Sequence, residues 1–277
     1  MREKWIAVIA LCAFSSLALQ AATVAHKGIV PIVGSTTTSS DSIGFETSIV
    51  IIGKPGLRGR LVFHPAGQVA SDDTDPSDTY ECRGTSPRAG PICLSINTNR
   101  FGRGPLIGSM DIIPDPDSEQ TIPSVLTRIT YWADAFPSGL RPLGTAVPRI
   151  IADEWFHQQQ EGAGRSSIFI QNLGPTIRAK LGFRTLTPIT YSVTVIRNGL
   201  AEDTPVVSGA SLPADYTMFL PIEQVIGRSL GQFDDVRVDI ERGSAIAFYS
   251  YTHSVTNEPD VVVAPAFDEA LAPAPIP

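Results

Sequence analysis

The sequence predicts an all-β protein: two antiparallel β-sandwich modules in tandem after an N-terminal leader. Three observations carry that prediction. Apolar and polar residues alternate over short runs. Gly and Pro each number 23 among 277 residues, which suits many short strands and turns better than a helical bundle. One strand–turn–strand pattern occurs twice. Strands with one wet face joined by tight turns pair antiparallel and bury their dry face on a second sheet.

Met1 to about Ala25 reads as a secretory signal peptide. Arg2 and Lys4 make a basic start, Trp5 to Leu19 is an apolar run, and Ala21, Ala22 and Ala25 offer small residues for cleavage. A membrane-spanning anchor needs about 20 apolar residues, and Ser15, Ser16 and Gln20 interrupt this run. The expected location is therefore secreted, periplasmic or cell-surface. The whole chain has 21 Lys and Arg against 28 Asp and Glu, net −7. Such an acidic surface without a basic run repels phosphate backbones, so nucleic acid is excluded as a partner.

The first module is expected over residues 28–160. Ser48 to Phe63, SIVIIGKPGLRGRLVF, lies over Ser167 to Phe183, SIFIQNLGPTIRAKLGF, with a single gap. Ser48/Ser167, Ile49/Ile168, Ile51/Ile170, Arg58/Arg178, Leu61/Leu181 and Phe63/Phe183 are identical. The copies lie about 120 residues apart, the length of one small domain. Beyond Phe63 they diverge: residues 64–123 look like an inserted loop with no counterpart in the second copy, and long loops are usually functional or disordered. That segment holds Cys82 and Cys93, the only cysteines left after export. In an oxidising compartment they are expected to form a disulfide, and no further ligands at zinc-like spacing accompany them. It also holds Asp73, Asp75 and Asp78, whose spacing suits hard-oxygen coordination of calcium or simply a solvated acidic loop.

The second module is expected over residues 165–266, followed by a Pro/Ala-rich tail, 267–277. Ile177, Ala179, Leu181 and Phe183 alternate with Arg178 and Lys180; Val236, Val238 and Ile240 alternate with Arg237, Asp239 and Glu241. Asn198-Gly199 suits the positive φ angles of a tight hairpin, and Ile222–Ile226 is one of the few short stretches that could be helical. Ala245 to Val255 reads as a long strand carrying Tyr249, Tyr251 and His253 on one face. A weaker echo at Ile150 to His157 sets Trp155 against Tyr251. Such an aromatic stripe either stacks on a sugar ring or is core.

Catalytic patterns are few. Gly227-Arg-Ser229-Leu-Gly231 matches a nucleophile elbow, with Asp239 or Asp260 and His253 available for a triad. That motif works only on a strand-to-helix turn of an alternating α/β sheet, and here a strand pattern follows. His26, His64, His157 and His253, the four histidines, show no zinc-binding arrangement.

Arg165-Ser-Ser-Ile-Phe-Ile-Gln-Asn-Leu, with Ile246-Ala-Phe-Tyr-Ser-Tyr-Thr-His-Ser-Val-Thr-Asn-Glu-Pro-Asp260 much later, resembles secreted bacterial proteins built from tandem immunoglobulin-like β-sandwich modules. The likeness covers the second module well and the first loosely. It implies architecture and carries over no catalytic residue. The expected function is thus an exported, non-enzymatic structural or adhesive protein at or outside the bacterial cell surface, meeting a surface protein or glycan and not spanning the membrane once the leader is cut. A carbohydrate-binding protein and a secreted hydrolase are the two alternatives. No cofactor beyond calcium is suggested.

Overall fold

The computed structural model describes residues 24–37, 43–83, 92–102, 104–133, 144–161, 166–171, 177–202, 204–231, 233–253 and 259–266. Most of the expected leader and the Pro/Ala-rich tail lie outside them. The fold is all-β and antiparallel, a sandwich architecture. Its first half contains β1 (Gly28–Thr37), β2 (Ile43–Ile52), β3 (Arg58–Pro65), β4 (Ser77–Glu81), β5 (Ile92–Asn97), β6 (Leu106–Pro114), β7 (Ser124–Ala133), β8 (Gly144–Ala146) and β9 (Ile150–Ile151). They form one sheet in the order β4-β3-β6-β1-β2-β7-β8, with β5 also on β2 and β9 on β1. The register of β1 against β6 shifts between Val30 and Val33, and the last residues of β1 pair with β2 instead. A bulge of this kind bends a strand. Ile49 and Ile51 of β2 then share one core with Leu61 and Phe63 of β3 and Met110 and Ile112 of β6, so the sheet folds over on itself.

Helix α1 (Ala152–Glu161) leads into the second half: β10 (Ser166–Ile170), β11 (Ile177–Thr185), β12 (Ile189–Arg197), β13 (Leu200–Ala201), β14 (Val207–Leu212), β15 (Thr217–Pro221), helix α2 (Ile222–Ile226), β16 (Asp234–Arg242), β17 (Ala245–His253) and β18 (Pro259–Val263). Two sheets face each other here. The outer runs β10-β16-β12-β13 with β14 on β12, the inner β15-β11-β17-β18. Between them lie Ile168, Ile170 and Val193, together with Leu181, Phe183, Val236, Val238 and Ile240, which the alternation placed on the dry faces. Asn198 and Gly199 turn with φ of 52° and 79°, joining β12 to β13 as expected. Among the described residues no helix is long and apolar enough to cross a membrane.

Three features depart from the sequence reading. Residues 64–123 are not a loop set on a finished scaffold. They supply β4, β5 and β6, and β6 pairs with both β1 and β3 while burying Met110 and Ile112 completely. The alignment of the two copies hid this, because β6 has no partner in it. The stretch from Ile150 to His157 is only briefly extended. It becomes α1, with Asp153 and Glu154 in the first turn, where the helix dipole favours negative charge. Finally, the polar face of β11 is wet only at its start, where Arg178 is exposed and Lys180 half-buried. Arg184 is completely buried, and at Gly182 on the same face a Cβ would stand 2.1 Å from the Phe248 ring. Only glycine fits under that ring.

The two halves meet through this face. The backbone N–H of Gly67 donates to Thr217 O (2.8 Å) and that of Ala70 to Asp215 O (2.6 Å). The Ser109 and Thr217 hydroxyls bond at 2.8 Å, and Thr145 Oγ1 donates to Asp260 Oδ1 at 2.9 Å. Helix α1 is clamped to β17: Gln159 Nε2 donates to Ala245 O (2.9 Å), and Gln159 Oε1 accepts from Ala245 N and the Ser244 hydroxyl.

Candidate functional site

The densest group of chemically active side chains lies in the seam between the halves. Phe63 points into the first core and its neighbour His64 therefore points out of it; Phe183 and Arg184 do the same in the second half. These two outward residues converge on Asp111 of β6. Asp111 Oδ2 accepts contacts from Lys27 Nζ at 2.5 Å, Arg184 Nη2 at 2.9 Å and His64 Nε2 at 3.1 Å. His64 Nε2 is also 3.2 Å from Asp72 Oδ1, without hydrogen-bond alignment to either carboxylate. Its Nδ1 lies 2.7 Å from Asp75 Oδ2. Arg184 Nη1 reaches Asp215 at 3.4 Å.

Burial and charge set the protonation of this group. Burial alone would lower His64, but Asp111, Asp72 and Asp75 outweigh it and raise the imidazole from 6.5 to about 9. Burial alone would raise Asp111, but Arg184, Lys27 and His64 hold its carboxyl well below the usual carboxylate range. Lys27 also loses to burial, yet Asp111 lifts it above its ordinary value. Asp72 is held low, chiefly by His64. At neutral pH three cations thus face Asp72, Asp75 and Asp111, with the more exposed Asp215 beyond. An imidazole oriented by a carboxylate is the arrangement of a general base. Here it is already protonated, 1% exposed and set among three carboxylates, so it has no free lone pair with which to take a proton.

One metal-ligand atom from each of His64, Asp72 and Asp111 lies within 4.8 Å of the others, a spacing a metal ion bridges. Lys27 and Arg184 already occupy Asp111 Oδ2, and a divalent ion would add charge to a place that holds two fixed cations. The group does not fit a metal.

The structure scatters the sequence-predicted residues. Cys82 and Cys93 are joined, S–S 1.98 Å. Asp73, Asp75 and Asp78 are not gathered about one point: Asp75 turns to His64 and Ser71 N, Asp78 to Arg100 Nε at 3.0 Å, and Asp73 is exposed. Trp155 is buried on α1, its indole N–H donating to Ala245 O at 3.1 Å, and packs beside Ile246. Tyr249 packs on the opposite side of β17, against the core between the two sheets. Its ring stacks on Tyr251 at 6.0 Å, and the Tyr251 hydroxyl donates to Asp260 Oδ2 at 2.6 Å. Strand β17 therefore separates Trp155 from the two tyrosines. The side chain of His253 lies outside the described residues. Ser229 is exposed after α2, while Asp239 is taken by Ser167 Oγ and Arg237.

Sequence reasoning missed Lys27, His64, Asp72, Asp111 and Arg184 as a group. One signal was present: Leu61-Val62-Phe63 and Ile246-Ala247-Phe248 are unbroken apolar runs, the mark of strands covered on both faces. His64 and Arg184 follow the matched Phe63 and Phe183. No family, no curated protein and no solved structure matches the chain.

Proposed function

We propose that the chain is an exported, non-enzymatic β-sandwich protein that serves as a rigid structural or adhesive part at or outside the bacterial cell surface. The observation that carries this reading is the use of His64, Asp111 and Arg184. The groups best suited to chemistry are buried against one another and tie the two halves together. The Cys82–Cys93 disulfide supports export, because such bonds persist in oxidising compartments. The likeness to secreted tandem immunoglobulin-like modules belongs to the same proposal.

The test is to express the full chain with a C-terminal tag, fractionate the cells and probe the cysteines by alkylation. The mature protein is expected outside the cytoplasm with both cysteines blocked, and with no turnover of a panel of esters and glycosides. Cytoplasmic retention with free thiols overturns export. Turnover that disappears in Ser229→Ala or His64→Gln, with folding unchanged, overturns the non-enzymatic reading.

A further inference from the structure

The seam between the halves also contains a partly open cleft of about 150 Å³. From the first half it is lined by Ile32, Val33, Phe45, Ile107 and Ile129, with Gly34 and the Thr36 hydroxyl; from the second by Lys180, Phe219, Ser250, Thr252 and Val261. Most of that wall is hydrocarbon. The polar groups fall on adjacent strands: Lys180 of β11 stands opposite Ser250 of β17, and Thr252 follows two residues on. No carboxylate lines the cleft, although acidic residues outnumber basic ones in the chain as a whole.

Lys180 is the unusual member. Its ammonium lies 5.0 Å from the centre of the Phe219 ring, and no carboxylate of the described residues forms an ion pair with it. Burial pulls its pKa below the ordinary lysine value, which an anion beside it would reverse. Among the described residues the buried cations of the seam, Lys27 and Arg184, share Asp111. Lys180 has instead a π face, with Ser250 opposite it in the register and Thr252 two residues further on.

We propose that this cleft binds a small monocarboxylate with an apolar body, its carboxylate on Lys180 and its hydrocarbon against Ile32, Val33, Ile107 and Val261. Size sets the class: an apolar cavity of roughly 150 Å³ admits a benzene-sized molecule, hence about six to eight carbons in all. The Lys180 ammonium supplies a charge-assisted bond, with Ser250 and Thr252 as donors to the remaining lone pairs. The site belongs to neither half alone, so an occupant would bind only the assembled molecule. This inference stands whether or not the protein is exported.

Hexanoate is the probe, with hexanol and hexylammonium as neutral and cationic counterparts, titrated into full-length protein labelled at Ile and Val methyls. Hexanoate is expected to shift the methyls of Ile32, Val33, Ile107, Ile129 and Val261 with a Kd of about 1 mM or tighter. Hexanol should bind the same methyls about tenfold more weakly, and hexylammonium not at all. Lys180→Met should bring hexanoate down to the level of hexanol and leave hexanol unchanged; Lys180→Arg should restore the preference. Equal binding of hexanoate and hexanol, shifts confined to other methyls, or a Lys180→Met protein that keeps the anion preference would each overturn the proposal. If Lys180→Met does not fold, the comparison of hexanoate with hexanol on the unaltered protein still decides it.

Discussion

Strands β16 and β17 are consecutive, equally long and almost opposite in character. In β16, Val236, Val238 and Ile240 are buried while Asp235, Arg237 and Asp239 between them are partly exposed. In β17, Ala245, Ile246, Ala247 and Phe248 are buried one after another. The difference is position in the stack. Strand β16 belongs to the outer sheet and meets water on its far side, so period two survives. Strand β17 belongs to the inner sheet, with the outer sheet on one face and the first half of the molecule on the other. A strand covered twice cannot advertise which face is inward, and of its polar neighbours on β11 Lys180 is half-buried and Arg184 completely enclosed.

The contrast can be broken most severely at the doubly covered strand. Phe248→Asp should prevent folding or leave a molten species, since it places an unpaired charge where the first core meets the inner sheet. The milder Phe248→Ala should cost about 3–5 kcal/mol, read from urea denaturation. Arg237→Ala on β16 should stay within about 0.5 kcal/mol. Equal effects at the two positions would mean that the inner sheet is not covered on both sides.

Next in size is the charge group. Asp111→Ala strips Lys27, Arg184 and His64 of their common partner and should cost about 3–5 kcal/mol. Adding Arg184→Met to it should recover part of that loss, because one buried charge is then removed with its counter-charge. Strict additivity in the double-mutant cycle would show that the two do not interact.

The pH dependence sharpens the same point. The groups facing His64 are Asp72, Asp75 and Asp111, with Lys27 and Arg184 on the far side of Asp111. Because its folded pKa is raised from 6.5 to about 9, its contribution is complete below about pH 6.5 and drains away as pH climbs through 9. Asp111 and Asp72 are held below their ordinary 3.8, so theirs is complete above that value and disappears on acidification. Stability from the group is greatest between about pH 4 and 6.5. His64→Gln should flatten the alkaline limb of the melting-temperature profile; an unaltered slope would remove His64 from the account.

A smaller effect than at the charge group is expected at the helix clamp. Gln159→Ala leaves Ala245 N and O and the Ser244 hydroxyl without their side-chain partner, a loss of about 1–2 kcal/mol measurable by thermal melting. The unaltered protein should resist cleavage between Trp155 and Gln160, which lie on α1.

Much of the second half was legible. Alternation in β11 and β16 named the core residues, Asn198-Gly199 named the hairpin, Pro221 before Ile222 marked the short helix, and Cys82 and Cys93 paired as expected. What escaped was whatever depends on a distant partner. Asp111 reads as one of several acids in a polar stretch until β6 slots between β1 and β3. Arg184 reads as the wet side of an amphipathic strand until the first half covers it. Nothing marks Gln159 in the sequence because its partners lie about 85 residues further on. Trp155 and Tyr251 share a pattern in the sequence but belong to a helix and a strand, and only the backbone path reveals that.

The place of β17 has a consequence for the order in which the chain can become itself. Ala245 and Ala247 belong to the core between the two sheets, Phe248 to the core of the first half, and Ile246 to the cluster around Trp155. One strand near the C-terminus therefore closes three apolar clusters. During synthesis the first half emerges early, yet its core remains open on the side Phe248 will cover, and Asp111 still lacks Arg184. Contacts that span so much of the sequence form slowly, and a nascent chain stopped short of Ala245 holds no finished part. The three clusters are completed only by a strand near the end of the chain, and a ribosome that stalls before Ala245 leaves each of them open.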